Sequence, residues 1–572
     1  MVKSTPRNGH GVGARCNDET MSTSAPSFPA IPGDQSQPQD AVPAGPTTSP
    51  VETSPEVPIG RDTTTTAEGE PVPDAAQVPE PTEHRHRPTS PAFRRFIGSG
   101  WAPRPDELPA AEEPARYADE RRRRLSAQFP GDRLVVPAGV LRTRSNDTDH
   151  RFRPHSAFSH LTGLGTDHEP DAVLVLEPTP ERGGHGAMLF FRPRAERDSE
   201  EFYADSRYGE LWVGPRPTLE EVSARTRLTC RHLDELNTQV TKDLGDGGTT
   251  VRLVRRADPT LDALVDQARD QAAVRDGSLG DADLDRAVSE LRLIKDDWEV
   301  AQLQAAVDVT ARGFADVVRR LPEAVRRSRG ERVIETAFES RARREGNGVG
   351  YDTIAAAGPH ACTLHWIRND GPVRAEDLLL LDAGVELDSL YTADVTRTLP
   401  ISGRFAPAQR RVYQAVLNAA DAAFALARPG TRFREVHEAA MQVIAERLHE
   451  WGLLPGTVAE SLAPEGQFHR RWMVHGTSHH LGLDVHDCAA ARRELYLDAE
   501  LRPGMVFTIE PGLYFMPDDL LAPEELRGIG VRIEDDVLVT EDGYRNLSAM
   551  LPRRPDDVEE WMQQLWRGTP GT

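Results

Sequence analysis

Cysteine is scarce in this 572-residue chain, and the few cysteines lie far from one another. No two of them form a Cys-x-x-Cys pair, so a disulfide framework and a thiolate zinc site are both disfavoured. A reducing compartment is therefore expected. The four positions are Cys16, Cys230, Cys362 and Cys488.

Long apolar runs and an excess of positive charge are also missing. The chain contains no stretch of about 18 apolar residues and no N-terminal run of signal-peptide length, which predicts a soluble, cytoplasmic protein outside the membrane. The chain has 68 Lys and Arg residues and 91 Asp and Glu residues, which gives a formal net charge of −23. Because nucleic acids and anionic membranes bind basic surfaces, we expect neither as a partner.

Large apolar residues are few in residues 1–92, which are rich in Pro, Ser, Thr, Ala and Gly. Such a segment cannot bury enough surface to offset the entropy cost of ordering it, so a disordered N-terminal tail is predicted there. From residue 93 onward the composition changes. Strand-like runs at 134–141, 172–178 and 188–191 alternate with helical patterns such as 261–274, which indicates an α/β domain over 93–287.

Four consecutive arginines, Arg121–Arg124, follow Asp119 and Glu120. We expect this run to lie on a solvated helix face.

A second domain is predicted over residues 288–556, followed by a C-terminal tail over 557–572. A long amphipathic helix, capped by Asp296 or Asp297, should run to about Arg320. Two long helices followed by strands then occur twice along the domain, a weak internal duplication that would place a site between two halves. The further predicted helices are 331–346, 407–427 and 434–452, and the predicted strands are 353–358, 378–384, 391–399, 505–512 and 530–540.

Asp382 ends the apolar strand LLLLDAG, and Asp394 lies in the next predicted strand. The two residues are symmetric about Asp388, so a hairpin turning there would set them directly opposite, with Cβ atoms about 4.5–5.5 Å apart. Two carboxylates this close cannot both ionise cheaply without a cation between them. The pair therefore indicates either a metal site or two solvated acids beside a turn.

Two glutamates and a histidine-rich segment follow. Glu510 comes after the apolar run MVFTI, and Glu534 lies in GVRIEDDVLVT on the strand face that also carries Arg532. The segment HGTSHHLGLDVHD (475–487) lacks the His-Glu-x-x-His pattern of helical zinc proteases. Its spacing leaves His479 and His480 as alternative ligands, beside the alternative of a surface histidine cluster.

Together these residues predict a two-metal site. Four carboxylates and one imidazole carry a charge of about minus four, which two divalent cations would balance. Oxygen-rich ligation favours Mn(II) over a thiolate-type zinc site. Two such ions about 3.5–4 Å apart can share a water molecule and lower its pKa. The chain has neither a Gly-x-Ser-x-Gly serine elbow nor a P-loop to suggest other chemistry.

The segments LLDAG, ADVTRT, HGTSHHLGLDVHD, TIEPGLY and VRIEDD, in this order, resemble the pita-bread metallopeptidases and, among them, the Xaa-Pro aminopeptidases. The resemblance covers residues 115–556. It implies an α/β (α+β) architecture in which a C-terminal pita-bread domain follows a smaller α/β domain. It also implies a homo-oligomer, dimer or tetramer, that removes the N-terminal residue from peptides with proline second.

Residue roles follow from the same resemblance. The implied metal ligands are Asp382, Asp394, His479, Glu510 and Glu534, which selects His479 over His480. His365, in TLHWIRN, matches a substrate-contacting histidine, and His475 and His486 match further active-site histidines. The resemblance implies that Arg532 orients the groups near Glu534. It also implies that Tyr514 lies behind the metal ligands and supports them. In the implied hydrolysis, His365 or His486 donates to the developing oxyanion and Glu510 carries a proton to the proline nitrogen.

The N-terminal domain also resembles its counterpart in this group, where it helps to form oligomers and limits access to the site. Trp212 is a candidate for that role.

One departure from the family pattern lies between the two aspartates, which are usually one residue closer together. We expect the extra residue in ELDSLYT to lengthen the hairpin loop, whereas a shift of register would turn Asp394 to the wrong face.

Four alternatives compete with this interpretation. A prolidase would cleave only Xaa-Pro dipeptides with the same ligands. A methionine aminopeptidase generally lacks such an N-terminal domain, and a creatine amidinohydrolase lacks the metal carboxylates. A non-enzymatic interaction module of the same fold is disfavoured because all five ligand positions are filled.

Overall fold

A computed structural model describes residues 88–166, 170–179, 183–245, 248–274 and 277–568. Most of the predicted disordered tail, residues 1–87, lies outside the described residues. The remaining residues of that predicted tail lead into a first helix that begins at Pro91.

The helices begin and end close to the predicted positions. Asp296 caps the longest one, since its side chain accepts a hydrogen bond from the Glu299 backbone N–H (3.0 Å) and the Glu299 side chain accepts one from the Asp296 N–H (2.9 Å). The α-helices of the described residues are α1 Pro91–Ile97, α2 Pro114–Ser126, α3 Ser156–Thr162, α4 Glu200–Ala204, α5 Glu210–Val213, α6 Leu219–Thr226, α7 Leu236–Thr241, α8 Pro259–Gln271, α9 Gly277–Leu291, α10 Asp297–Ala324, α11 Gly330–Glu345, α12 Pro407–Phe424, α13 Phe433–Glu450, α14 Val458–Leu462 and α15 Pro555–Arg567.

The strands are short, and most of them pair in antiparallel fashion. Those of the described residues are β1 Arg133–Pro137, β2 Thr143–Ser145, β3 Thr148–Asp149, β4 Val173–Pro178, β5 His185–Phe191, β6 Thr229–His232, β7 Val251–Leu253, β8 Gly348–Val349, β9 Ile354–Ala357, β10 Leu378–Ala383, β11 Val385–Glu386, β12 Val395–Pro400, β13 Val506–Ile509, β14 Gly512–Tyr514, β15 Gly530–Arg532, β16 Asp535–Thr540 and β17 Gly543–Asn546.

A mixed five-stranded sheet organises residues 114–291, which we call the N-terminal domain. Its strand order is β6-β5-β4-β1-β7, with β1–β7 and β5–β6 parallel and the other pairs antiparallel. Alternate side chains of β1 and β4 enter two separate apolar cores, one containing Leu134 and Leu174 and the other Val135 and Val175. Helices therefore cover both faces of the sheet, as the alternating pattern predicts.

The arginine run of α2 is only half solvated, so the prediction of a solvated face is wrong for Arg121 and Arg122. These two side chains are buried. Arg121 binds Asp296 (2.7 Å) and Arg122 donates to the carbonyl oxygen of Leu161 (2.7 Å). The run spans a full helical turn, so some of its members must face inward, and a carboxylate and carbonyl groups there satisfy the guanidinium groups.

The C-terminal domain, residues 297–567, shows the predicted duplication of element order. Helices α10 and α11 pack as a pair and precede the sheet β12-β10-β9, while α12 and α13 pack as a pair and precede the sheets β13-β16-β17 and β14-β15. A large apolar core and a smaller one beside it join the helices to the strands. The two halves thus bring one sheet system each to the middle of the domain.

Arg397 on β12 ties the two halves together and is almost fully buried. Its guanidinium donates to the backbone oxygen of Glu534 (2.7 Å) and to the carboxylate of Asp535 (2.7 Å). The Glu534 N–H donates in turn to the oxygen of Thr396 (3.1 Å). A charge buried among such partners holds β12 in a fixed position beside β15 and β16.

The segment predicted as a C-terminal tail, 557–572, is helical as far as Arg567. Helix α15 buries Val558 and Met562, and the indole N–H of Trp566 donates to the oxygen of Val318 on α10 (2.8 Å). Its apolar residues recur at helical spacing and so form one packed face. Among the described residues, no helix is long and apolar enough to span a membrane.

Acid is expected to destabilise the folded chain through His155. Its ring nitrogen Nδ1 accepts a hydrogen bond from the Ala157 N–H (3.2 Å) at the start of α3. Burial, followed by the charge of Arg292, lowers the pKa of His155 from 6.5 to about 4. Below pH 6.5 the unfolded state binds the proton more tightly, so stability is lost as the pH falls from 6.5 towards 4. Between about pH 7 and about pH 5 the loss amounts to roughly 2 kcal/mol.

Urea denaturation at these two pH values measures the effect as a free energy of unfolding. His155→Asn keeps a hydrogen-bond acceptor but does not titrate, so it should lose about 2 kcal/mol less than the unmodified chain. The exposed His449→Asn is the matched control. An equal pH dependence of the unmodified chain and His155→Asn would contradict this account.

Candidate metal centre

A pocket of about 610 Å³ lies between the two halves of the C-terminal domain. Both halves supply polar side chains to it, as the duplicated element order predicts. It brings together all nine residues predicted as ligands or catalytic groups, and Tyr514 lies just behind it. The polar side chains that line it are Tyr351, Asp352, His365, Asp382, Asp394, His475, Ser478, His479, His486, Glu510, Arg532 and Glu534.

The aspartates come from the hairpin formed by β10 and β12, but they are not directly opposite each other. Asp382 pairs with Thr396, so Asp394 is offset from it by two residues. The prediction of an opposed pair is therefore wrong, because the turn is centred on residue 389 rather than on Asp388. An even offset keeps both carboxylates on one face, so the register does not turn Asp394 away from Asp382.

Tyr351 joins the two aspartates. Its hydroxyl oxygen lies 2.6 Å from Oδ1 of Asp382 and 2.5 Å from Oδ1 of Asp394. A phenol has one proton to donate, so it cannot satisfy both carboxylates when both are ionised. The arrangement therefore requires a further proton or a cation in the cluster.

Strand-like pairing of the histidine-rich segment distinguishes His479 from His480. The segment runs antiparallel to β13: the Thr508 N–H donates to the oxygen of His479 (2.9 Å), and the Glu510 N–H donates to that of Thr477 (2.9 Å). Consecutive side chains point to opposite sides of such a segment. His479 faces the pocket, whereas His480 is buried on the other side and stacks on Phe433.

His479 contacts two of the acids. Its Nε2 lies 3.3 Å from Oδ2 of Asp394 and 3.6 Å from Oε1 of Glu510. Burial opposes a charged imidazole, but the hydrogen bond with Asp394 and the charge of Glu510 outweigh it and raise the pKa of His479 to about 9. Single ligand atoms of Asp394, His479 and Glu534 lie within 4.8 Å of one another, close enough to share a metal ion.

Arg532 and Thr396 fix the remaining acids. Arg532 donates to Asp382 and, through Nη1, to the hydroxyl of Tyr514 (3.0 Å). The hydroxyl of Thr396 donates to Oε2 of Glu534 (2.7 Å) and accepts from Nε of Arg532 (3.1 Å). These bonds hold the carboxylates in place without neutralising all of them.

Burial sets the electrostatics of the pocket. It raises the pKa of Glu510 to about 7 and is also the largest cause of the raised pKa values of Asp382 and Glu534. Repulsion from the neighbouring carboxylates adds to the effect in all three. Four acids face a single arginine and His479, so the donor set fits divalent cations bound by oxygen and imidazole.

The three other predicted histidines lie around this cluster. His365 and His486 line the pocket, and the ring of His486 packs edge-to-face against that of His479 (4.5 Å between centroids). His475 accepts a hydrogen bond from the Tyr514 hydroxyl at Nε2 (2.8 Å) and donates from Nδ1 to its neighbour Gly476 (2.5 Å). Burial, followed by the charge of Arg532, lowers the pKa of His475 to about 3, so its ring is neutral.

Tyr351, Thr396 and Asp536 were missed from sequence. Asp536 accepts from the backbone N–H of Asp394 (3.1 Å) through Oδ2. Strand alternation could have found Thr396, which lies two residues after Asp394 on the same face. Tyr351 precedes β9 in an irregular segment, so neither a sequence motif nor strand periodicity marks it as a site residue.

Comparisons with known proteins identify the families that this chain resembles. The model of metallopeptidase family M24 matches residues 301–541, and that of the aminopeptidase P N-terminal domain matches residues 118–251. Xaa-Pro aminopeptidase 1 of Streptomyces coelicolor is 50% identical over 507 residues, 86% of this chain and 98% of the relative. Xaa-Pro aminopeptidase 2 of the same organism is 52% identical over 472 residues, 82% and 96% of the two chains.

Comparison with solved structures also finds aminopeptidase P. A zinc-substituted Escherichia coli aminopeptidase P in complex with product aligns with a TM-score of 0.69 at 32% sequence identity, covering 80% of this chain and 99% of that one. The predicted fold, a pita-bread domain after a smaller α/β domain, is thereby confirmed. The chain belongs to the Xaa-Pro aminopeptidases, the aminopeptidase P group of metallopeptidase family M24.

Proposed function

We propose that this chain is a metal-dependent aminopeptidase that removes the N-terminal residue from peptides with proline at the second position. The observation that carries the proposal is the cluster of four carboxylates and one imidazole in the pocket, with Asp382, Asp394 and Glu534 buried and Glu510 partly buried. The names of the Streptomyces relatives support the reaction and the substrate class.

Five residues would hold the metal: Asp382, Asp394, His479, Glu510 and Glu534. We assign two divalent ions to them, Mn(II) first, because the set is rich in oxygen and carries a charge of about minus four. When bound, such ions supply Lewis acidity and an activated water. A bound cation would take the place of the proton that His479 and the protonated acids otherwise hold.

The remaining residues would bind and orient the peptide. The excess of carboxylates attracts the cationic N-terminal amine of the substrate. His365 and His486 line the pocket and are the donors that we assign to the oxygen of the scissile carbonyl. Both ring nitrogens of His475 are engaged, so we assign to it and Tyr514 the orientation of Arg532.

Proton delivery to the leaving group is assigned to Glu510. The bond before proline is a tertiary amide, so its nitrogen needs a proton to leave as a secondary amine. Held ionised among the metal ligands, the Glu510 carboxylate would accept a proton from the attacking water and pass it to that nitrogen. The apolar side chains of Leu364, Ile367 and Val485 line the same pocket and offer a surface for the proline ring.

Oligomer state and location remain proposals. We propose a homo-oligomer, dimer or tetramer, to which the N-terminal domain contributes. Helix α5 exposes about half of each of three large apolar side chains, Leu211 (53%), Trp212 (50%) and Val213 (53%), as a surface for self-association would. A cytoplasmic location likewise remains a prediction.

Substitution of Glu534 by Gln should abolish metal-dependent hydrolysis. The change keeps the size of the side chain but removes a charge that would hold a cation, so kcat/KM for an Xaa-Pro-Xaa peptide should fall by at least about 100-fold. Release of the first residue is measured after metal stripping, with and without added Mn(II).

The matched control is Glu525→Gln, an exposed glutamate of the same domain, 59% of whose side chain is exposed. It should hydrolyse the peptide like the unmodified chain. Full Mn(II)-dependent activity of Glu534→Gln would show that Glu534 holds no metal.

The length of the substrate separates the aminopeptidase from the prolidase alternative. Because the Streptomyces relatives are named Xaa-Pro aminopeptidases, we expect the metal-loaded chain to release the first residue of an Xaa-Pro-Xaa peptide. Gly-Pro and the longer peptide are compared by chromatography of the products. Cleavage of Gly-Pro alone would identify a prolidase instead.

A further inference from the structure

Two loops set the relative positions of the metal cluster and its histidines. We call residues 385–392 the aspartate hairpin, since they join Asp382 to Asp394, and residues 481–487 the histidine loop, since they follow His479 and include His486. The two loops touch beside the cluster, where the Thr392 N–H donates to the oxygen of Gly482 (3.0 Å). Where His486 stands relative to the aspartates therefore depends on how these loops are held.

One side chain of the N-terminal domain binds both loops. Nε of Arg153 donates to Oε2 of Glu386 in the aspartate hairpin (2.7 Å), and Nη2 donates to the oxygen of Leu483 in the histidine loop (2.5 Å). Arg153 comes from the segment between β3 and α3, far from both loops in sequence. Its planar guanidinium presents these donors in a fixed geometry, which a lysine could not reproduce.

The partners of Arg153 are themselves fixed. Glu386 is buried, and its other oxygen accepts from Nδ2 of Asn347 (2.7 Å). Nη1 of Arg153 donates to the hydroxyl of Ser156 (3.3 Å), which donates to Oδ1 of Asp484 in the histidine loop (2.5 Å). The Arg153 side chain is 35% exposed, yet all three guanidinium nitrogens are bound, which fixes it better than a single surface ion pair would.

Two further contacts hold the tip of the aspartate hairpin and the end of the histidine loop. The Thr166 N–H donates to the oxygen of Asp388 at the tip of the aspartate hairpin (3.0 Å). At the end of the histidine loop, Asp487 accepts from the buried Arg292 (2.8 Å), just before α10. His486, the neighbour of Asp487, is consequently held from both sides of its loop.

We propose that Arg153 is a positioning residue that ties the aspartate hairpin to the histidine loop and thereby holds His486 at the metal cluster. It acts through His486 and does not touch the substrate. The proposal rests on the proposed function for the role of His486, but the positions of the loops can be measured without any activity.

Arg153→Met removes the bridge and keeps the apolar stem. A displaced His486 should reduce the stabilisation of the transition state more than it reduces substrate affinity. The value of kcat should therefore fall about 10- to 100-fold while KM changes by no more than about twofold. In a His486→Ala background the same change should cause no further loss, because the two residues act as a unit. Hydrogen–deuterium exchange of the 482–487 amides should be several-fold faster in Arg153→Met.

The matched control is Arg207→Met, which removes an ion pair with Asp149 (2.8 Å) within the N-terminal part of the chain. It should leave kcat and the exchange of 482–487 unchanged. The proposal would be overturned if Arg153→Met had the same kcat and the same exchange rate as this control. It would also be overturned if Arg153→Met lowered kcat in the His486→Ala background by as much as it does in the unmodified chain. If the unmodified chain cleaved no Xaa-Pro peptide, the proposed function would fail, and the exchange experiment alone would decide on Arg153.

Discussion

Repulsion among four carboxylates in one buried pocket is the constraint on which the rest of the structure depends. Asp382, Asp394, Glu510 and Glu534 lie too close together and too far from water to be ionised at the same time without added positive charge. Arg532 is the fixed cation that faces them. A protein keeps such a cluster at a cost in stability, which is the physical reason to assign divalent cations and hydrolytic chemistry to it.

The two halves of the C-terminal domain must be locked together for that cluster to exist. Arg397 does this from within, by binding the backbone oxygen of Glu534 and the carboxylate of Asp535. The N-terminal domain does it from outside, where Arg153 binds the loops that bear the aspartates and histidines. In this account the N-terminal domain supports the geometry of the site, in addition to any role in self-association.

The sequence predicted the elements and the site residues more closely than their exact placement. The apolar strands ending in Asp382 and Glu510 were recognisable because a carboxylate after such a run needs a partner. The register of the hairpin could not be recognised from sequence, because the symmetry of the two aspartates about Asp388 does not reveal that the turn is centred on residue 389. Arg121 shows the same gap, since a run of arginines looks solvated until the carboxylate that binds one of them, Asp296, is known. Tyr351 gave no signal because its partners are distant in sequence.

Metal binding by the stripped protein tests the central claim most directly. Mn(II) is titrated into it while bound metal is counted and the midpoint of thermal unfolding is recorded. The account predicts about two ions per chain, a rise of the midpoint with added metal, and loss of both effects in Asp394→Asn. Absence of binding, or unchanged binding by Asp394→Asn, would contradict the claim that the buried carboxylates form a metal centre.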